Sequence, residues 1–207
     1  MQVANVRGFV FPRSNLLFII SSPSGAGKTT LTNRLLLSDP SVRASISATT
    51  RKKREGEIDG KDYIFLGEKA FLKEKERGNF LETAQIFDAH YGTPKKTVST
   101  LLEQGFDVLF DVNWEGADAI TQACPGQCVR IFILPPSLGV LEERLRARAL
   151  DTKNAITKRL AAAEKEMARW PTYDYIVTND DLGDALSDLL SILRAERLRS
   201  QRFHAQA

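Results

Sequence analysis

Short apolar runs alternate along this chain with stretches whose apolar positions recur every three or four residues. Runs at 16–20 (LLFII), 42–48 (VRASISA), 106–112 (FDVLFDV), 128–134 (CVRIFIL) and 173–179 (YDYIVTN) read as strands. Between and after them, 27–37, 95–104, 115–123, 137–149, 152–168 and 181–199 read as helices. Ile156, Leu160, Ala163 and Met167 mark the inner face of the fifth helix, and Leu182, Leu186, Leu189, Leu190 and Leu193 that of the last. Asp39-Pro40, Gly105 and Pro125-Gly126 end helices, and Pro135-Pro136 stops a strand. Strands separated mainly by helices predict an α/β fold: a mainly parallel five-stranded sheet covered on both faces.

The alternation breaks at 48–93. TTRKKREGEIDGKDYIF is polar, with turns at Gly56, Gly60 and Gly67 and short strand-like ends. A helix follows at 68–77, capped by Gly78, and then FLETAQIF reads as a strand. This predicts a small inserted α+β lobe. Its exposed Arg, Tyr, Glu and Thr residues suit a ligand-gripping surface. Residues 1–15 read as a tail.

Composition changes this picture little. With 207 residues, 43% apolar and 27% charged, the chain can bury one sizeable core with small lobes. A net charge of +3, from 29 basic and 26 acidic residues, gives no reason to expect nucleic acid as a partner. No apolar run approaches the ~20 residues of a membrane helix. The N-terminus has no long apolar segment followed by a small-residue cleavage pattern, so a cytoplasmic location is expected. Cys124 and Cys128 form C-x3-C, which is neither the redox C-x2-C nor enough ligands for structural zinc. Cys128 is expected at the start of a buried strand and Cys124 at a helix end.

The candidate chemistry begins after the first strand. The small-residue turn from Ser21 to Gly27 leads into Lys28-Thr29-Thr30 at the start of a helix. Strand, glycine-rich loop and helix opening on Lys-Thr form a phosphate-binding arrangement. Gly25 and Gly27 permit backbone dihedrals that aim successive N–H groups inward, and the helix adds unpaired amides and its dipole. Lys28 would reach the β- and γ-phosphates, and Thr29 would offer its hydroxyl to Mg²⁺. Ser22 stands where the pattern wants glycine; PSGAGKT is otherwise intact. The competing reading is an ordinary glycine turn before a helix. Asp111, at the carboxyl end of its strand, is a candidate for holding Mg²⁺ or its waters, with a helix cap or ion pair as the alternative.

Beyond the loop, SSPSGAGKTT, SISATTRKKREGEIDGKDYIF, FLETAQIFDAHYGTPK, DVNWEGA, IFILPPS, LEERLRAR and TNDD follow in order. Through these segments the chain resembles guanylate kinases over about residues 14–199. The resemblance implies a three-layer P-loop NTPase fold and Mg²⁺-dependent phosphate transfer from ATP to GMP or dGMP. It divides the chain into core (1–47, 95–136 and 169–207), a GMP-binding lobe (48–94) and a helical lid (137–168). Ser22, Pro23, Ser24, Gly25, Ala26, Gly27, Lys28, Thr29 and Thr30 would bind ATP, with Asn179 on the adenine side. Ser47, Arg51, Arg54, Tyr63 and Tyr91 would hold the GMP phosphate, with Glu57 supporting the arginines. Glu82 and Thr93 would read guanine. Asp111 and Asn113 would lie close by. Lys28, Arg51, Arg144, Arg148 and Arg159 would act on the transferring group. No nucleic acid or membrane partner is implied, and a monomer or homodimer fits.

The residues give independent reasons. Arg51 and Arg54 lie in a run of four cations, whose self-repulsion a dianion relieves; a solvated basic turn is the alternative. Tyr63 and Tyr91 can donate to phosphate or simply pack. Glu82 could accept both N1–H and the 2-amino group of guanine, a donor pair that adenine lacks; a rim carboxylate is the plainer reading. Arg144 and Arg148 are four apart on one helix and Arg159 is on the next, so they can converge on a phosphoryl group or form a solvated face. Besides Ser22, the chain departs from the family pattern at Asn113, where an Asp is usual. Two other activities fit parts of the sequence: a P-loop kinase for another phosphorylated acceptor, and a non-catalytic guanylate-kinase-like binding domain.

Overall fold

The computed structural model describes residues 3–6, 9–86, 88–147 and 153–203. The chain begins with β1 (Val3–Val6) and β2 (Phe9–Pro12), an antiparallel ribbon that pairs Val3 with Pro12 and Val6 with Phe9. This replaces the tail expected for 1–15. Arg13 anchors it: the guanidinium is buried and donates to both Asp107 oxygens at 3.0 and 3.2 Å.

The core follows. β3 (Leu17–Ser21) leads into α1 (Lys28–Ser38), and β4 (Val42–Ala44) comes next. The chain then leaves the core for β5 (Ala48–Thr49), β6 (Ile64–Phe65), α2 (Glu68–Glu76), β7 (Phe80–Ile86) and β8 (Ala89–Pro94). It returns through α3 (Lys95–Glu103), β9 (Asp107–Asp111), α4 (Trp114–Ala123) and β10 (Cys128–Leu134). The helices α5 (Leu138–Ala147) and α6 (Lys153–Met167) precede β11 (Tyr175–Thr178) and α7 (Leu182–Arg197).

The core sheet has the order β11-β10-β3-β9-β4, and every neighbouring pair is parallel. β3 lies in the middle, which is why its run is apolar at every position from Leu17 to Ile20. Phe18 and Ile20 pack with Leu31 and Leu35 of α1 and Leu189 and Leu193 of α7. Leu17 and Ile19 pack on the other face with Val98 of α3 and Ile120 of α4. Each such buried side chain contributes about 1.5–3 kcal/mol.

The expected strand 42–48 is two strands in two sheets. Ser45 N–H donates to Leu109 O at 2.8 Å, the last link to the core, and Ser47 O accepts from Ile64 N–H at 2.9 Å, the first link to the lobe. The lobe sheet has the order β6-β5-β8-β7, with β7 and β8 forming an antiparallel hairpin. β8 was not legible in AHYGTP. Its Gly92 is needed for close approach: a Cβ there would lie 3.0–3.1 Å from Phe80, Thr83 and the Glu82 carbonyl. Phe71 of α2, fully buried, stacks on Phe80 with ring centres 4.7 Å apart.

Among the described residues no helix is long and apolar enough to cross a membrane. Cys124 and Cys128 are free thiols at the helix end and strand start expected of them, and burial pushes the Cys128 thiol up to about 12.

Candidate functional site

The loop from Ser22 to Gly27 leaves the carboxyl end of central β3 and feeds α1. Gly25 and Gly27 take left-handed φ values of 94° and 92°. Both are also held closely. Asn179 Nδ2 donates to Ala26 O at 2.7 Å, and a Cβ on Gly27 would fall 2.3 Å from that nitrogen. A Cβ on Gly25 would come 2.9 Å from Leu141 Cδ1. α1 opens at Lys28 with no side-chain cap, leaving its first amides directed to the loop's mouth. Lys28 Nζ pairs with the Asp111 carboxylate and approaches Val112 O at 3.4 Å. Ser22 turns its hydroxyl to Pro23 O at 3.0 Å. Pro23 is buried, while Ser24, Thr29 and Thr30 are exposed.

On one side of the loop lies a cavity of about 360 Å³, lined by Gly25, Gly27, Thr30, Arg144 and Asn179 among others. Arg144 Nη2 donates to Asn179 O at 3.1 Å. Its Nη1 is buried and has no hydrogen-bond partner among the described residues.

On the other side a cavity of about 280 Å³ is lined by Lys28, Ser47, Tyr63, Glu82, Tyr91, Asp111 and Asn113 among others. Glu82 is 8% exposed, and Thr93 Oγ1–H donates to its Oε1 at 2.8 Å. Burial raises the Glu82 pKa, opposed by hydrogen bonds from the Thr93 hydroxyl and backbone. Arg51 grips Glu57 with both amino groups, at 2.7 and 3.0 Å. Glu57 Oε2 also accepts the Arg54 backbone N–H at 2.7 Å. The Arg51 pair, then the Arg54 amide, lower the Glu57 carboxyl to about 2. The Arg51 guanidinium sits 5.2 Å from the Tyr63 ring centre, and its pKa is raised by Glu57 and the Tyr91 hydroxyl. Tyr63 and Tyr91 meet edge to face at 6.0 Å, and burial raises the Tyr63 hydroxyl. The Arg54 side chain is exposed. Asn113 caps α4: Oδ1 accepts Gly116 N–H at 3.0 Å, and Nδ2 donates to Glu115 Oε2 at 3.1 Å.

Lys28 and Asp111 therefore stand between two cavities, with Arg144 and Asn179 at one and Arg51, Tyr63, Glu82 and Tyr91 around the other. Arg159 is half-buried on α6. Arg148 lies outside the described residues. Size does not mark this site. Cavities of about 760 Å³ beside Asn15, Gln127 and Arg202, and about 600 Å³ beside Ile64, Phe80 and Leu101, lie away from Lys28. Sequence reasoning missed Glu166, half-buried on α6, where burial raises the carboxyl pKa and the Ser24 backbone and Lys28 oppose that rise. The available signal was its spacing from Arg159 and Ala163, seven and three residues along one helix face.

A parallel sheet, a left-handed glycine loop feeding a helix that begins with Lys-Thr, and an acid at the end of the neighbouring strand define a P-loop kinase. The family described as guanylate kinase matches residues 14–196. The guanylate kinase of Maricaulis maris is 51% identical over 190 residues, covering 92% of this chain and 87% of that one. The guanylate kinase of Zymomonas mobilis is 45% identical over 202 residues, covering 98% and 92%. The crystal structure of guanylate kinase from Anaplasma phagocytophilum superposes with a TM-score of 0.75 at 32% identity, covering 93% and 92%. The chain belongs to the guanylate kinase family.

Proposed function

We propose that this protein transfers the γ-phosphoryl group of ATP to GMP, giving ADP and GDP. The observation that carries this reading is the position of Lys28, at the loop's mouth and in the wall of the cavity that holds Glu82. One cation can then face the group being transferred while the acceptor is read behind it.

In this reading the loop from Ser22 to Thr30 binds the ATP phosphates, and Asn179 borders the adenine. Residues 48–94 form the acceptor lobe. Ser47, Arg51, Arg54, Tyr63 and Tyr91 bind the acceptor phosphate, and Glu57 holds the Arg51 fork in place. Glu82 and Thr93 read guanine, with Asn113 nearby. The donors available for Mg²⁺ fit it: a threonine hydroxyl and a carboxylate are hard oxygens, and no cluster of three or more acids, histidines or cysteines occurs among the described residues. Such a set suits an ion that takes its other ligands from phosphates and water. Thr29 and Asp111 would hold Mg²⁺, which would neutralise charge on the phosphates.

The acceptor phosphate is largely ionised at neutral pH, so no strong general base is needed. One of its oxygens bonds to the γ-phosphorus as the bond to the β,γ-bridging oxygen breaks, and ADP leaves with that electron pair. Lys28, Arg51, Arg144, Arg148 and Arg159 counter the charge spread over the moving group. Residues 137–168 act as a lid that, with the acceptor lobe, excludes water as a competing acceptor. A cytoplasmic location is compatible with soluble nucleotide substrates.

The test is ADP release measured across GMP, dGMP, AMP, UMP and ribose phosphates. Rapid release is expected with GMP and dGMP and only slow release otherwise. Equal rates with AMP, or rapid hydrolysis without any acceptor, would overturn the reading.

A further inference from the structure

The lobe sheet and the core meet along a crevice that neither cavity beside the phosphate loop includes. Its volume, about 600 Å³, exceeds their 360 and 280 Å³. One wall belongs to the lobe: buried Ala48 of β5, half-buried Ile64 of β6, Leu66 just beyond it, and Phe80 of β7. The other wall is Thr97, Thr100 and Leu101 of α3. α3 is part of the core, because Val98 and Leu101 pack with Leu17, Val108 and Ile120. Both crossings of the chain between lobe and core also border the crevice. The first enters the lobe at Ala48, and the second leaves it at Pro94 and starts α3 at Lys95. A molecule filling the crevice therefore touches lobe, core and both connections, the kind of junction where ligand pockets concentrate.

The lining selects the occupant. Ile64, Leu66, Phe80 and Leu101 are each only half-buried and offer an apolar bed. Phe80 is held in place by its stack on Phe71, with ring centres 4.7 Å apart. The charge beside this bed is positive. Lys95 and Lys96 are exposed in the first turn of α3, and neither ammonium has an ion-pair partner among the described residues. α3 opens without a side-chain cap, so its first amides add partial positive charge. The acid in the lining, Glu74, is already engaged: Oε2 accepts Asn79 Nδ2 at 2.6 Å and Oε1 accepts Arg77 Nη1 at 3.1 Å.

We propose that this crevice binds a small amphipathic anion, an aromatic body bearing one carboxylate or sulfonate, and that the bound molecule fixes the acceptor lobe against the core. The aromatic body lies between Phe80 and α3, and the anionic group meets Lys95 and Lys96. The site itself is independent of the kinase reading above; its effect on turnover rests on that reading, in which the lobe must close over the phosphate loop.

The test uses the full-length protein and anilinonaphthalene sulfonate, a fluorescent anion of this class. Wild type should bind one equivalent saturably, and a saturating non-hydrolysable ATP analogue should leave the probe in place. Thr97→Phe fills the crevice and should weaken probe binding by about tenfold or more, as losing the bed for one aromatic body implies. Lys95→Glu with Lys96→Glu reverses the charge at the mouth and should weaken binding by about three- to tenfold and remove its salt dependence. Acids suit the first turn of a helix, so this double variant should fold as wild type does and carries the test if Thr97→Phe does not fold. In the GMP assay the bound probe should lower kcat, excess GMP should not restore it, and the double variant should resist at the same probe concentration. Wild-type probe affinity in every folded variant, or displacement by the ATP analogue, would overturn the site. Full turnover with the probe saturating would overturn its hold on the lobe. Probe binding that falls as protein concentration rises, with a dimer in sedimentation, would give the crevice to a second copy of the chain and overturn the proposal. If wild type phosphorylates no GMP while the variants lose the probe, the kinase reading fails and the crevice site stands.

Discussion

Replacing Glu82 by Gln exchanges one oxygen for an amide nitrogen and inverts half of what the acceptor cavity offers. The carboxylate uses one lone pair of Oε1 on the Thr93 hydroxyl, 2.8 Å away. Its remaining lone pairs can take both N1–H and the 2-amino group of guanine. Glutamine has a single carbonyl, already claimed by Thr93, and its NH₂ would face the guanine donors. Hydrogen bonds to a charged group contribute about 1.5–3 kcal/mol each, so losing one and opposing donor to donor should cost about 2–4 kcal/mol. That is about a 30- to 700-fold weaker GMP Kd. ATP affinity should not move, because Glu82 does not line the cavity beside Gly27 and Arg144. Separate calorimetric titrations with GMP and a non-hydrolysable ATP analogue measure both. A GMP effect below about threefold, or an equal loss for the ATP analogue, would refute the role given to Glu82.

The same group predicts a pH dependence. Burial raises the folded Glu82 pKa above 4.5, and a protonated carboxyl can no longer accept two donors. GMP affinity should therefore fall as pH drops through the raised value, while Glu82→Gln stays flat. For the free protein the linkage has the opposite sense to that of a salt-bridged acid. The folded state holds this proton more tightly than the unfolded one, so the contribution is full below about 4.5 and lost as pH rises through the folded value. GMP, by favouring the ionised form, should release a proton in that window, visible as a buffer-dependent binding enthalpy.

Gly27→Ala would put a Cβ 2.3 Å from Asn179 Nδ2 at a φ of 92°, so kcat/KM for ATP should fall by about 100-fold or more, while GMP affinity in calorimetry changes little. Asp107→Asn would strip the charge between buried Arg13 and Arg197, whose Nε donates to Asp107 Oδ2 at 2.7 Å; urea unfolding should show a loss of about 3–5 kcal/mol. Glu57 should titrate near 2 by carbon-detected NMR and move toward 4.5 in Arg51→Ala. Its depressed pKa means that the pair's stabilisation holds above about 4.5 and is lost only as pH falls toward 2.

The parts of the fold that could be read from sequence are those whose burial is two-sided. β3, β9 and β10 are continuous apolar runs because helices cover both faces of the sheet. β8 is hidden because AHYGTP mixes polar, glycine and proline residues in a small lobe sheet with little core beneath it. The division between β4 and β5 leaves no trace in composition; it lies in whether the partner of the backbone is Leu109 or Ile64. The buried Asp107 cluster was equally invisible. Arg13 and Arg197 reach Asp107 from 94 and 90 residues away, and no local pattern announces a meeting of that kind. The phosphate loop and the Glu82–Thr93 pair were legible for the opposite reason: a short segment, or a resemblance carried by several segments, specifies them.

The two departures from the expected motif pattern fall where backbone geometry matters more than charge. At Ser22 the side chain bonds to the neighbouring Pro23 carbonyl, and the left-handed turns come later, at Gly25 and Gly27. At Asn113 the amide caps α4 through Oδ1 and donates through Nδ2 to Glu115. An aspartate could make the first bond but not the second, and it would add a carboxylate to a cavity wall that already holds Asp111 and Glu82. Asn113 thus caps the start of α4, and in the proposed reaction it would add no negative charge near the acceptor phosphate. The cations proposed to meet that phosphate, Lys28 from the loop and Arg51 from the lobe, are paired with Asp111 and Glu57. Each of those acids therefore holds its cation at the cleft, and a phosphate that enters must compete with the acid for it.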